Sequence, residues 1–271
     1  MSPQGKNMSQ NIVPISLDQH RHKKIKPITR FDFAKDFNLA SIMVHEFSRA
    51  SSIYPIVFLE NKELDEFRPV VLLGLESNTN LFIKDGVWDA SYIPAIIRRY
   101  PFALARVDET SETFTVCLDN DSDLISDDEG TALFNEDGEP EEMMERVKQY
   151  LSELQQMERF TQEFCHFLRE QNLFTPLNMK VRQGDEVKDI TGCYVINEER
   201  LNNFSNDTFL KIRERNFLPP IYAHLISLAQ IERLLKLDEE NKGVTEDKSD
   251  KQQSNVDNSK KSFTNKLSSK R

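Results

Sequence analysis

Residues 138–168 constrain the fold more than any other stretch. Gly138-Glu139-Pro140-Glu141-Glu142 sets a proline and three carboxylates where a helix can begin. Proline gives up an N–H that would have no partner there, and carboxylates complement the positive end of the helix dipole. Apolar residues then recur at 144, 147, 151, 154, 157, 160, 164, 167 and 168. This spacing holds them on one side of a helix of about 30 residues, ~45 Å long at 1.5 Å per residue. The stripe is too narrow to be buried all round and drifts from a strict heptad. Such a helix lies across a sheet or against other helices rather than in a solitary coiled coil.

The first half of the chain reads as short strands with small helices between them. Leu39 to Arg49 carries apolar residues at 39, 42, 43 and 47, which fits a short amphipathic helix. Tyr54 to Leu59 and Pro69 to Leu75 are apolar runs that do not alternate, as expected of strands covered on both faces. Asn80 to Ile83 leads into an Asp85-Gly86 turn, and Tyr92 to Arg99 reads as a brief helix stopped by Pro101. Phe102 to Val107 and Thr113 to Leu118 suit an antiparallel pair. Beyond the long helix, Leu177 to Val181 and Ile190 to Ile196 flank a Gly184-Asp185 hairpin signal. Helices follow from about Asn197, from Asn206 to Arg215, and from Pro219 to Leu237. The expected class is α+β: a mixed or antiparallel sheet with one long helix and a C-terminal helical segment packed on it.

Both ends look dispensable to a core. Residues 1–23 read as a flexible basic segment and 239–271 as a disordered polar tail, leaving 24–238 as a single globular domain. The net charge of −10 excludes a whole-surface nucleic-acid binder. Charge is uneven: Asp108 to Glu145 holds 15 carboxylates and no Lys or Arg, whereas Lys248 to Arg271 holds seven basic residues against two acidic ones. The tail is therefore expected to be a solubilising segment, with contact to nucleic acid, anionic lipid or the chain's own acidic face as the alternative. Cys117, Cys165 and Cys193 are odd in number and form no CxxC pair, so buried reduced thiols are expected. With no signal-peptide pattern and no apolar run of spanning length, a cytoplasmic protein that does not cross a membrane is expected.

Several pieces of sequence carry a family likeness in a fixed order. They are YPIVF at 54–58, LLGL at 72–75, NLF at 80–82, WDASYIP at 88–94, RRYPF at 98–102, FNEDGEP at 134–140, TGCYVINEERLN at 191–202 and YAHLISLAQIERL at 222–234. Together they resemble the SapC family of bacterial proteins across roughly residues 15–237. The resemblance implies no cofactor and no catalytic residue set. Members are often labelled peptide-transport permeases, a role that needs spanning helices or a closed membrane barrel. Family genes lie near those for outer-membrane nutrient receptors and halogenase-like proteins, which implies a part in uptake or modification of a ligand.

The candidate ligand site is the segment 88–102. Arg98 or Arg99 can clamp a carboxylate or phosphate, and Trp88, Tyr92 and Tyr100 offer an apolar wall with polar handles. On the structural reading Trp88 is a core anchor and Asp89 caps the short helix that carries Tyr92. Adjacent arginines cannot share one helix face, and Arg98, six residues beyond Tyr92, is the expected anion contact. His45 and Arg49 share one face of the 39–49 helix, where a base and an anion holder would suit catalysis. Tyr222 and His224 could converge on the same place, though a satisfied interior histidine suits His224 better.

Metal and nucleophile chemistry are weakly signalled. His20 and His22 form an HxH pair with only Asp18 near in sequence. Asp119 to Asp123 starts like a calcium loop, but Leu124 stands where glycine is needed and Gly130 where the closing glutamate belongs. No GxSxG, GxGxxG or phosphate-loop motif occurs. The expectation is an accessory or small-ligand-binding protein without metal or cofactor, linked to nutrient uptake, acting on a small anionic or aromatic ligand or a protein partner. The alternative is an enzyme, or an enzyme's partner subunit, acting on such a metabolite.

Overall fold

A computed structural model of the chain describes residues 11–106, 114–183 and 186–243. The two non-alternating apolar runs form its central hairpin. Ile56–Asn61 pairs antiparallel with Glu66–Leu72, in register from Ile56 opposite Val71 to Asn61 opposite Glu66. Ile56, Val57, Phe58, Val70 and Val71 are all buried, so both faces of the hairpin are covered. Leu39–Ser41 adds to one side; Tyr194–Ile196 and then Phe174–Pro176 add to the other, completing a five-stranded antiparallel sheet. A second sheet sets Ile12–Pro14, Phe114–Asp119 and Phe102–Arg106 side by side, also antiparallel. Lys24–Ile25 lies between Ile125–Ser126 and Thr131–Ala132 in a third. Met179–Gln183 and Glu186–Ile190 pair as a separate hairpin; the Gly184-Asp185 signal between them lies outside the described residues. The architecture is mixed α+β.

The long helix runs Glu142–Glu170 and buries Leu151, Leu154, Phe164, Phe167 and Leu168. Its C-terminal half packs on the central sheet and on the C-terminal helices. Phe164 meets Phe47 and Phe217 edge-on, with ring centroids 6.2 and 5.2 Å apart. Each fully buried ring of this kind stabilises by about 1.5–3 kcal/mol. Its N-terminal half leans on the second sheet, where Leu151 and Leu154 join Met43 and Ala95 in a smaller core with Phe102 and Leu104 alongside. The helix therefore bridges two cores.

Three expectations are corrected. Leu39 to Arg49 is not one helix: Leu39–Ser41 is the edge strand, Val44–Glu46 a single 3₁₀ turn and Phe47–Ala50 one turn of α-helix. The backbone N–H groups of Met43 and Val44 are taken by the Glu46 carboxylate at 2.8 Å and the Thr161 hydroxyl at 3.0 Å. Those side-chain partners, one local and one from the long helix, replace the bonds of a continuous helix. The last helix is also interrupted, running Leu218–Ser227 and then 230–243. Between the two, the Ser227 hydroxyl donates to the His224 carbonyl at 2.6 Å and accepts the Ile56 N–H at 3.0 Å. A serine that bonds back to its own helix and out to a strand favours such a break.

The basic N-terminal segment, expected to be flexible through residue 23, carries structure from Ile12 onward and lies against the acidic stretch. Lys23 pairs with Asp127 at 2.8 Å, and Arg21 and Lys24 donate to the carbonyls of Glu136 and Asp128 at 3.0 and 3.1 Å. Residues 244–271 lie outside the described residues. No described helix is long and apolar enough to cross a membrane.

Candidate functional site

Where the long helix passes from one core to the other, its inner face is incompletely covered, and cavities follow one another along it. The first, about 390 Å³, lies beside Lys26, Arg98, Tyr100 and Tyr150. A slot of about 330 Å³ follows, walled by Met43, Ile96, Leu104, Leu151 and Leu154. Beyond it opens a trough of about 860 Å³ between the turn of the central hairpin and the helix. Arg99 and Leu151 line both of the first two; Arg68, Pro69 and Glu158 line both of the last two.

Arg99 stands at the junction. It follows directly on the short helix Ala95–Arg98, whose start is set by Pro94. Its guanidinium is half-buried, and that desolvation holds its pKa below the usual value against the opposing pull of Glu158. No hydrogen bond or ion pair joins the Arg99 side chain to another described residue. Opposite it on the long helix, the Glu158 carboxyl is open to the groove but ringed by protein. Burial raises its pKa; Arg99 and Arg68 pull it down, and Glu46 pushes it up. The Tyr150 hydroxyl nearby is buried without a partner among the described residues. Burial raises its pKa as well. A cationic group short of hydrogen bonds, an acid near it and an apolar wall are the elements of a small-molecule site.

The short helix is held in place by Glu46. This buried carboxylate accepts the Tyr92 hydroxyl at 2.7 Å, the Ala95 N–H at 2.8 Å and the Met43 N–H at 2.8 Å. One side chain thus ties the edge of the central sheet to the start of the helix that leads into Arg99.

With this geometry in hand, comparison against family models finds SapC matching residues 15–234. The chain belongs to the SapC family. No curated protein and no solved structure matches it. Three of the segments that carried the likeness meet in space: Tyr54 of YPIVF is hydrogen-bonded to Trp88 and Tyr92 of WDASYIP, and Arg98 of RRYPF lies over the Tyr92 ring.

The residues singled out in the sequence are not all brought together. Trp88 is buried, its indole N–H on the Tyr54 hydroxyl at 2.9 Å and its ring edge-on to Phe31. Asp89 does not cap the short helix; it is exposed and pairs with Lys84 at 2.8 Å, which lowers its pKa. That pairing crosses the small hairpin Ile83–Lys84 and Val87–Trp88, whose turn residues Asp85 and Gly86 both take positive φ, 51° and 80°. Tyr92 precedes the helix rather than lying on it. Arg98 is exposed, with Nε on the Ile93 carbonyl at 3.0 Å and its guanidinium 5.7 Å above the Tyr92 ring. It borders only the first cavity, whereas Arg99 borders two. Tyr100 stacks on Phe33 at 4.1 Å.

His45 and Arg49 are both exposed and line none of these cavities; the His45 ring rests edge-on against Phe160. Tyr222 is exposed and His224 fully buried on the same helix, so the two do not converge. His224 accepts the Ile196 N–H at Nε2 and packs against Phe58, and burial pushes its pKa down to about 3. Cys117, Cys165 and Cys193 are free and buried. Burial pushes the Cys193 thiol up to about 11 and the other two upward as well, against nucleophilic use. His20 is buried against its own helix, its Nδ1 3.2 Å from the Ser16 backbone. Sequence reasoning missed Glu46, Tyr150 and Glu158. Only the helical phase of the last two, shared with Leu151 and Leu154, pointed to the inner face.

Proposed function

We propose that this SapC-family chain binds a small ligand with an anionic group and an apolar or aromatic body. The ligand lies in the slot between the long helix and the Pro94–Pro101 segment. Arg99 supplies the anion contact. The observation that carries this reading is the Arg99 guanidinium, half-buried at the junction of two cavities with no hydrogen bond from the described residues. Guanidinium presents five donors in a planar fork, and leaving them unmet in a desolvated place is costly unless something else fills the role. Arg98 is the weaker choice because its guanidinium is already engaged by Ile93 and Tyr92. A place as an accessory protein in ligand uptake, on the cytoplasmic side, fits the family likeness.

An enzymatic reading has one observation in its favour. Arg99 and Glu158 are perturbed groups lining one slot, with Tyr150, also perturbed, on the adjoining cavity that Arg99 shares, and catalytic groups cluster in this way. Glu158 would then act as the proton donor. The two readings separate when a bound molecule is incubated with the protein and its mass is followed; binding alone leaves it unchanged.

The test begins with native mass spectrometry and a thermal-shift screen of the full chain against small carboxylates and phosphates. For any anion that binds, Arg99→Gln should weaken affinity at least about tenfold. Arg99→Lys should do nearly as much, because the charge stays while the bidentate fork is lost. Arg98→Gln should change affinity less than about threefold, since its guanidinium is spent on Ile93 and Tyr92. Unchanged affinity in Arg99→Gln overturns the assignment.

A further inference from the structure

The charges that face the slot do not pair with one another. Arg99 and Glu158 both line it and attract across it, and Arg68 acts on Glu158 from the side of the open trough. Yet no ion pair within 4.0 Å joins Glu158 to either arginine. Arg99 is half-buried while Glu158 and Arg68 are exposed. A long acidic side chain facing a partly desolvated guanidinium ordinarily closes such a gap because unpaired desolvated charge is expensive. Here the gap stays open, with Met43, Ile96, Leu104, Leu151 and Leu154 forming an apolar wall beside it.

The chemistry of the gap narrows what can fill it. A plain carboxylate would satisfy Arg99 but set its own charge beside Glu158, and a plain amine would satisfy Glu158 but face two arginines. A molecule with both groups on one carbon meets both sides at once. We propose that the slot takes an apolar α-amino acid. Its carboxylate lies on Arg99, its ammonium on Glu158 and its side chain against the Met43–Leu154 wall. This rests on the anion-binding reading above and specifies the ligand class for the same site. A slot of about 330 Å³ is at the small end of ligand pockets and suits a molecule of this size.

Two matched sets of probes test it by calorimetry on the full chain. One is L-phenylalanine, 3-phenylpropanoate and 2-phenylethylamine; the other is L-leucine, 4-methylpentanoate and 3-methylbutylamine. The amino acid of at least one set should bind about tenfold or more tightly than either of its halves, a comparison that needs no variant to fold. Glu158→Gln should bring the amino acid down to the level of the deaminated acid without weakening the acid itself. Arg99→Gln should weaken amino acid and acid alike. If the deaminated acid binds as tightly as the amino acid, the amino-acid assignment fails while the anion-binding reading stands. If no member of either set binds, the assignment fails as well, and the native-mass and thermal-shift results decide the anion reading independently.

Discussion

Trp88 donates its indole N–H to the Tyr54 hydroxyl at 2.9 Å, and that hydroxyl in turn donates to the Tyr92 carbonyl. The Tyr54 side chain is fully buried, and burial raises its pKa. The phenol is thus a neutral relay that satisfies a buried donor and a loop carbonyl together. Tyr54→Phe keeps the ring but leaves both groups unpaired, which should cost about 1–3 kcal/mol in urea melts. Trp88→Ala should cost about 3–5 kcal/mol through lost burial and the cavity left behind. A Tyr54→Phe loss below about 0.5 kcal/mol would show that water replaces the relay.

Glu46 should matter to both stability and binding. Its carboxylate accepts from three donors, including the Ala95 N–H that opens the helix leading to Arg99. Gln in its place offers one carbonyl oxygen and turns an NH₂ toward groups that are themselves donors. Glu46→Gln should therefore destabilise by about 2–3 kcal/mol. It should also weaken any ligand held by Arg99, although Glu46 does not line the slot. A melt that falls with affinity unchanged would mean the short helix keeps its place without this anchor.

The long helix was legible because its signal is local. Pro140 and the carboxylates mark its start, and the apolar spacing carries it to Leu168, within two residues of the observed end at Glu170. The covered hairpin was legible for the same reason, as two apolar runs without alternation. Leu39–Ser41 was not, since its pairing with Val70–Leu72 is tertiary and apolar residues at 39, 42, 43 and 47 also fit a helix. The same misreading hid Glu46. Beside His45 on a supposed surface helix it looked solvated, whereas the 3₁₀ turn points it inward. Phasing the short helix from Tyr92 points to Arg98 over Arg99. Pro94 restarts that phase, leaving Arg98 outward and Arg99 in the groove. Glu158 carries no signal of its own; it gains meaning only from the arginines that other segments place opposite it.

His224 gives the protein a pH dependence of definite sign. It is neutral in the folded state, with burial holding its pKa at about 3 instead of 6.5. Below pH 6.5 the unfolded chain takes up a proton that the folded chain refuses. Stability is therefore full above that pH and falls as the pH drops, by up to about 1.4 kcal/mol per unit. Urea melts between pH 7 and pH 5 measure this slope, and the difference between the native chain and a His224 variant separates it from groups such as Glu158, whose pKa burial raises. His224→Gln, whose carbonyl can still accept the Ile196 N–H, should lower stability but flatten the slope. An unchanged slope would assign it to another group.

The end of the chain offers the last expectation, because the helix over 230–243 carries past the point where the sequence turns polar. Lys242 reaches Glu76 at 3.1 Å and Asp238, one turn back, at 3.5 Å. Asp238 is buried at 2% exposure, so Lys242 meets a carboxylate that is largely shielded from water. Truncation after residue 238 removes Lys242 while keeping Asp238; truncation after residue 243 keeps both. The shorter chain should be the less stable by about 1 kcal/mol, a modest figure because Lys242 is itself partly exposed and screened. Part of the difference should shrink in 1 M salt, where the Debye length falls to ~3 Å. Parallel melts of the two truncated chains decide the matter. Equal stabilities would place the boundary of the folded domain before Lys242. A difference that persists at high salt would instead credit the backbone hydrogen bonds of the last helical turn, whose side chains at 239–243 are all polar or glycine, rather than the ion pairs.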